Sequence, residues 1–305
     1  MAERRTDRVD SKTIAFIGPG NMGAPMAERL LWAGHRLRVY ARRPETAAPL
    51  AALGATVVAS PAAAAGGADF VCVMVTNTSD VEAVLLGPNG AIEGAIPGTL
   101  CIVFSTISAL AARNIALSLA EKGIAFIDAP VSGGVRAARE GSLAIMVGGE
   151  PESLEKARPL LELLGKAITH VGPVGSGQLA KACNQIVQVV NIQGIAEAMH
   201  FARENGGDLE KILAAIAPGF AGSRMLDLMG PRMAKRDFSA GIEARLHEKD
   251  FRIVKEIADK AGIDLPAVTL VARQLRVLME KGWGYDDTSS LLRVLEMQQE
   301  KDIEA

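Results

Sequence analysis

Ile14-Ala-Phe-Ile-Gly18-Pro-Gly20-Asn-Met-Gly23 is the stretch that decides the fold of this chain. An apolar run too short for a helix leads into glycines spaced G-x-G-x-x-G, and a helical pattern opens directly behind them. In that setting Gly18 permits a tight turn, Gly20 lets a backbone approach a pyrophosphate, and Gly23 allows a helix to pack closely on a strand. The helix N-terminus adds unpaired N–H groups and a partial positive charge suited to phosphate.

Outward from this turn, short apolar runs alternate with Ala-rich helical stretches: Ile14 to Ile17, Leu37 to Tyr40, Thr56 to Val58, Phe70 to Val75, Leu100 to Phe104 and Ala125 to Ile127. Continuous apolar strands separated by helices predict βαβ units in a parallel sheet with both faces covered, a doubly wound α/β fold of Rossmann type. Ser60-Pro61 opens a helix over Ala62 to Ala65. A further strand is predicted at Leu143 to Val147, a helix at Pro151 to Leu164, and an edge strand at Ile168 to Val171. From Ser176 strand signals vanish. Helical periodicities run over Ser176 to Asn205, Asp208 to Ala217, Leu246 to Ala261 and Pro266 to Lys281, so an all-α second domain is expected. The predicted boundaries are 12–174 for the dinucleotide-binding domain and 175–300 for the helical domain, the latter carrying substrate and oligomer contacts.

Composition excludes several classes. The 305 residues carry 33 basic and 35 acidic side chains, a net charge of −2 without basic patches, which leaves no footprint for nucleic acid or an anionic membrane. The most apolar helical candidate, Ile186 to Ile195, is interrupted by Gln188, Asn191 and Gln193 and is a core helix, not a span. Cys72, Cys101 and Cys183 lie in apolar surroundings without metal-ligand spacing and read as buried thiols of a reducing compartment. The polar stretch Met1 to Asp10 lacks the apolar centre of a secretory signal and reads as a leader, which points to the cytoplasm. His35, His170, His200 and His247 are scattered, and no metal site is expected.

The end of the second strand usually holds the acidic residue that takes ribose hydroxyls; here Ala41-Arg42-Arg43 stands there. Two guanidiniums and no carboxylate favour a 2′-phosphate, hence NADPH over NADH. Thr76 and Asn77 end one strand and Ser105 and Thr106 the next, at the sheet edge where a cofactor lies, although ordinary turn chemistry explains them equally. Asp128-Ala-Pro-Val-Ser132-Gly133-Gly134 ends another strand in a small-residue turn whose successive N–H groups suit a carboxylate. Further on, Lys181 precedes Asn184 by three residues, which places both on one helical face. A buried ammonium has its pKa lowered by desolvation and can then act as acid in reduction and base in oxidation.

Three segments together resemble the β-hydroxyacid dehydrogenases: Ile17-Gly-Pro-Gly-Asn-Met-Gly-Ala-Pro-Met26 their cofactor signature, Asp128 through Leu143 their substrate signature, and Gly175 through Gln185 their lysine motif. The resemblance runs from about Lys12 to Glu296. Asn184-Gln185, Asn191-Ile192, Glu197-Ala198, Gly222-Ser223 and Leu246-His-Glu-Lys-Asp250 bring it nearest to the tartronate semialdehyde reductases, also called 2-hydroxy-3-oxopropionate reductases. It implies that Lys181 is catalytic, that Ser132, Gly133, Gly134 and Asn184 hold the substrate, that Gly18, Gly20, Asn21, Met22 and Gly23 form the cofactor loop, that Lys249 lies beside the nicotinamide, and that the protein is a homodimer or homotetramer. Gln185 stands where a second Asn is commoner and bears on substrate choice. Val75-Thr76 replaces Leu-Pro and Phe104 replaces an Asp, which touches the geometry near the cofactor. Trp283 and Tyr285 are expected to pack the C-terminal turn or a subunit contact.

The expected activity is NAD(P)-dependent reduction of a small 3-oxo acid, tartronate semialdehyde to glycerate. Alternatives are 3-hydroxyisobutyrate dehydrogenation by the same machinery, imine reduction by a fold relative, and a nucleotide-binding scaffold without chemistry, against which retention of Lys181 and Asn184 argues.

Overall fold

Strand β1, Thr13–Ile17, is central to the sheet because each of its faces has its own core. Ile14 and Phe16 pack with Met26, Ala27 and Leu30 on one side, while Ala15 and Ile17 pack with Ala64, Val81 and Ile115 on the other. This alternation is the period-2 geometry of a strand, and it explains why the run is apolar without interruption. The computed structural model of the chain describes residues 10–303. Nearly all of the leader expected over residues 1–10 lies outside them.

The remaining strands are β2 Arg36–Tyr40, β3 Thr56–Val57, β4 Phe70–Val73, β5 Leu100–Val103, β6 Ala125–Asp128, β7 Val131–Ser132, β8 Leu143–Gly148 and β9 Gly165–Gly172. The order is β3-β2-β1-β4-β5-β6-β8-β7, with β9 paired to β8. From β3 to β6 every pairing is parallel, as expected; β8 then runs antiparallel to β6 and β7. Helices α1 Gly23–Trp32, α2 Ala48–Ala52, α3 Pro61–Ala65, α4 Thr78–Leu86, α5 Ala91–Gly94, α6 Ala109–Ala120, α7 Gly134–Glu140 and α8 Pro151–Leu164 alternate with the strands. The hydroxyl of Ser60 accepts from Ala63 N and caps α3, and Pro151 sits in the first turn of α8.

One expectation fails here. β3 is exposed along its whole length and stops at Val57, because it is the edge strand of the parallel half and none of the described residues covers it. The two-residue β7 gave no sequence signal, being shorter than any periodicity can register.

Six helices follow: α9 Ser176–Glu204, α10 Leu209–Ile216, α11 Arg224–Lys235, α12 Ala244–Ala261, α13 Pro266–Glu280 and α14 Leu291–Ile303. The chain divides into two compact units, the first ending at Lys181 and the second beginning at Ala182, so the division falls inside α9. The second unit has its own core, in which Val189, Ile192 and Met199 of α9 meet Phe251, Val254, Val271 and Leu275. Helix α11 escaped periodicity because Gly230 and Pro231 interrupt it. Ser223 nonetheless caps it, accepting from Leu226 N at 3.0 Å, and Gly230 leaves room for Leu213, whose Cδ2 would lie 2.5 Å from a Cβ there. In the same unit Arg293 stacks on Trp283 at 3.6 Å, so Trp283 packs the C-terminal turn, while Tyr285 is exposed. Among the described residues no helix is long and apolar enough to cross a membrane.

Candidate active site

The glycine turn is built by steric exclusion. Gly18 has φ +94°, and a Cβ on it would meet Met74 O at 2.4 Å; a Cβ on Gly23 would meet Gly18 O at 2.1 Å. Both positions therefore admit only glycine. Gly20 differs: a Cβ there would meet nothing within 4 Å, so it would project into open space at the mouth of the turn. That is the relation expected of a backbone that a pyrophosphate must approach.

A cleft with about 660 Å³ of empty space, including the part open to solvent, adjoins the turn and gathers Gly18, Gly20, Ala41, Arg42, Arg43 and Thr76. Tyr40, Thr46 and Asp80 line it too, and the sequence had singled out none of them. Arg42, 85 % exposed, lies 3.8 Å from Asp80, a loose ion pair that leaves the guanidinium available to a phosphate.

Several expected contact residues have structural duties. Asn77 Oδ1 accepts from Asp80 N at 3.0 Å and caps α4, and Ser105 Oγ accepts from Val75 N at 2.9 Å, pinning the loop after β4. Met22 is half-buried against the core beneath α1, whereas Asn21 is exposed. Gly133 and Gly134 have φ +131° and +67°, so the turn after Ser132 does need glycine.

Asp128, at the end of β6, is fully buried. Its two oxygens accept from Gly175 N at 2.7 Å and Gln178 N at 2.8 Å, so it holds the first turn of α9. Burial raises its pKa, and the backbone N–H donors of Gly175 and Gln178 oppose that rise. Gln178 fastens the same turn from the other side, donating to Ser105 O at 2.9 Å and accepting from Ile107 N at 3.0 Å. These two residues fix the start of the helix that carries Lys181. The sequence marked Asp128 only as the first residue of the substrate signature, at the end of an apolar strand, and not as the anchor of α9.

The N-terminal part of helix α9 buries polar side chains, and the helix also leaves large apolar ones exposed. Gln178, Lys181 and Gln185 are buried, Lys181 to 7 % exposure, while Val187 and Phe201 are each 71 % exposed. Cys183 shares the exposed side, which corrects the expectation of three buried thiols. Two helical steps turn about 200°, so burying Lys181 puts Cys183 in solvent whatever its neighbours in sequence. Cys72 and Cys101 are buried, and burial pushes both thiols well up from their ordinary value.

In the second unit Asn184 Nδ2 donates to Gln185 Oε1 at 2.8 Å, and Gln185 Nε2 donates to the carboxylate of Asp250 at 2.6 Å. Lys249 Nζ lies 2.9 Å from the other oxygen of Asp250, an ion pair off the hydrogen-bonding direction. A buried amide, a carboxylate and an ammonium are thus assembled next to Asn184. Asp250 is a residue the sequence reading quoted without assigning it a role.

Residues 13–172 match the family model described as the NAD binding domain of 6-phosphogluconate dehydrogenase, and residues 175–295 match that of the NAD-binding of NADP-dependent 3-hydroxyisobutyrate dehydrogenase. The chain belongs to the β-hydroxyacid dehydrogenase family. It is 39 % identical over 284 residues to 2-hydroxy-3-oxopropionate reductase of Escherichia coli, covering 93 % of this chain and 97 % of that one. It is 38 % identical to the NAD-dependent L-serine dehydrogenase of Pseudomonas aeruginosa, covering 93 % and 98 %. Among solved structures, Mycobacterium tuberculosis 3-hydroxyisobutyrate dehydrogenase with L-serine superposes with a TM-score of 0.86 at 33 % identity, over 93 % of this chain and 99 % of that one. This β-hydroxyacid dehydrogenase is therefore an NAD(P)-dependent oxidoreductase with a Rossmann-like N-terminal region and a helical C-terminal region.

Proposed function

We propose that the enzyme reduces tartronate semialdehyde to glycerate, with NADPH preferred and Lys181 as general acid. The observation that carries this is the burial of Lys181 on the face of α9 shared with Asn184, in a chain 39 % identical to a reductase named for 2-hydroxy-3-oxopropionate. When bound, the reduced nicotinamide supplies the hydride. Lys181 delivers the proton to the carbonyl oxygen as it becomes an alkoxide, and takes it back in the oxidative direction. Ser132, Gly133 and Gly134 receive the carboxylate through backbone N–H groups, and Asn184 and Gln185 orient the polar substituents of the substrate. Gly18, Gly20, Asn21, Met22 and Gly23 form the phosphate turn, with Thr76, Asn77, Ser105 and Thr106 along the strand ends. Lys249 takes the nicotinamide side.

The preference for NADPH is supported by Ala41, Arg42 and Arg43 in the cleft beside the turn, where two guanidiniums suit a 2′-phosphate. We assign the cofactor to residues 12–174 and the helical domain to 175–300. A homodimer or homotetramer is supported by the exposed apolar stripe Leu179, Cys183, Val187 and Phe201 on α9, a face that a second copy would cover. A cytoplasmic location is supported by the unpaired thiols of Cys72 and Cys101.

The test is the initial rate of cofactor oxidation with tartronate semialdehyde and with methylmalonate semialdehyde, each with NADPH and NADH. Preference for the hydroxylated aldehyde with NADPH is expected. Preference for the methylated aldehyde would make the enzyme a 3-hydroxyisobutyrate dehydrogenase, and silence with both would sink the proposal.

A further inference from the structure

The side chain of Asn184 is held from two directions, and both impose the same polarity on its amide. One arm ends on Asp250, whose carboxylate can only accept when ionised beside Lys249. Gln185 must therefore turn its Nε2 toward Asp250 and its Oε1 toward Asn184, so Asn184 donates to it through Nδ2. The other arm ends on the carbonyl of Ile242, also an obligate acceptor. Thr288 Oγ1 donates to Ile242 O at 3.0 Å, so that hydroxyl must accept from Nδ1–H of His247, 2.8 Å away. In a neutral imidazole Nε2 then carries no proton and accepts from Gln188 Nε2 at 3.3 Å. Gln188 is left with Oε1 facing Asn184, which donates to it at 3.3 Å, again through Nδ2. His247, Thr288, Gln185 and Asp250 are all buried, so water does not readily relax either arm.

We infer that this two-armed relay fixes Asn184 with its Oδ1 turned outward as an acceptor, and that the enzyme thereby selects small 3-hydroxy or 3-oxo acids bearing an O–H or N–H donor on carbon 2 over those bearing a methyl. His247, Gln188 and Thr288 are positioning residues acting through Asn184. The inference rests on the proposed placing of substrate at Lys181 and Asn184. Flipping the amide to suit another substrate would set donors against donors along both arms. A methyl group would leave Oδ1 facing carbon, and a site built around a hydrogen bond rejects the analogue that lacks it.

The experiment compares kcat/KM for glycerate and for 3-hydroxyisobutyrate in the wild type, Gln188→Glu and Gln188→Lys. The wild type should favour glycerate by about 100-fold or more. Glutamate at this position still accepts from Asn184 Nδ2, with His247 protonating to face it, so the ratio should stay within about threefold of wild type. Lysine can only donate, so it meets Asn184 Nδ2 donor to donor while Gln185 still holds the amide from the other side; the amide is pushed out of place, which should cut the ratio by about tenfold or more, through the glycerate kcat/KM alone. Equal losses in both variants, which loose packing would give, or no loss in Gln188→Lys, would overturn the inference. Preference of the wild type for 3-hydroxyisobutyrate would overturn it while leaving the dehydrogenase standing. If the wild type oxidises neither acid, the substrate proposal fails, and the relay is decided by the nitrogen-15 NMR signals of His247 in the intact wild-type protein: Nδ1–H is expected, and an Nε2–H tautomer contradicts it.

Discussion

The glycine turn at Gly18 to Gly23 and the polar nest around Asn184 are specified by different physics. The turn is specified by what cannot fit: two Cβ atoms are excluded by backbone oxygens at 2.4 and 2.1 Å, and the only open position faces the cleft. The nest is specified by which atom donates to which, along a chain of amides and an imidazole contributed by α9, α12 and the turn at Thr288. Steric demands restrict residue type and leave a pattern in sequence. Donor and acceptor polarity admits many residue types and leaves almost none.

The sharpest way to break the comparison is inside the turn. Gly23→Ala should destabilise the protein by about 3 kcal/mol or more, since its Cβ would first have to displace the Gly18 carbonyl, as read from urea unfolding. Gly20→Ala should leave unfolding within about 0.5 kcal/mol of wild type. Its effect should appear instead as NADPH affinity weakened by about tenfold in a fluorescence titration. If both substitutions destabilise equally, the division between packing glycine and cofactor glycine is wrong.

Asp128 extends the comparison to a buried charge. Asp128→Asn replaces one acceptor of the α9 turn with a donor facing an N–H, and should cost about 1–3 kcal/mol at neutral pH. Because the folded carboxyl titrates above its ordinary range, the native state binds its proton more tightly than the unfolded chain does. The stabilisation from that proton is complete below the ordinary carboxylate range and is lost as pH rises through the folded value. Wild-type stability should therefore fall with rising pH across that window relative to Asp128→Asn; unfolding at a series of pH values that showed the opposite slope would refute the buried-carboxylate reading.

The smallest effect belongs to the exposed arginines. Arg42→Ala combined with Arg43→Ala should weaken NADPH by several-fold and leave NADH nearly unchanged, because an exposed guanidinium gains from a phosphate but is screened by solvent and salt. Equal losses for both cofactors would move the selectivity elsewhere in the cleft.

Much of the first unit was legible because its strands are apolar on both faces and its turns are glycine or proline; the edge strand β3 was misjudged for want of a covering layer, which sequence does not announce. In the second unit long helices were readable, but α11 was hidden by Gly230 and Pro231 inside it. Lys181 and Asn184 stood out through the stretch from Gly175 to Gln185, which resembles the lysine motif of the β-hydroxyacid dehydrogenases. Asp128, Gln178, His247 and Asp250 did not, because each acts through partners 41 to 73 positions away that only the folded chain assembles. Cys183 misled because local apolarity was read as burial, when the face of α9 was already claimed by Lys181.

The most direct test of the central claim is the Lys181→Ala protein, assayed for NADPH binding by fluorescence and for kcat with tartronate semialdehyde. Removing a positioned proton donor should lower kcat by about 10²–10⁴-fold while cofactor affinity stays at the wild-type value. Turnover at the wild-type rate, with binding intact, would contradict the account.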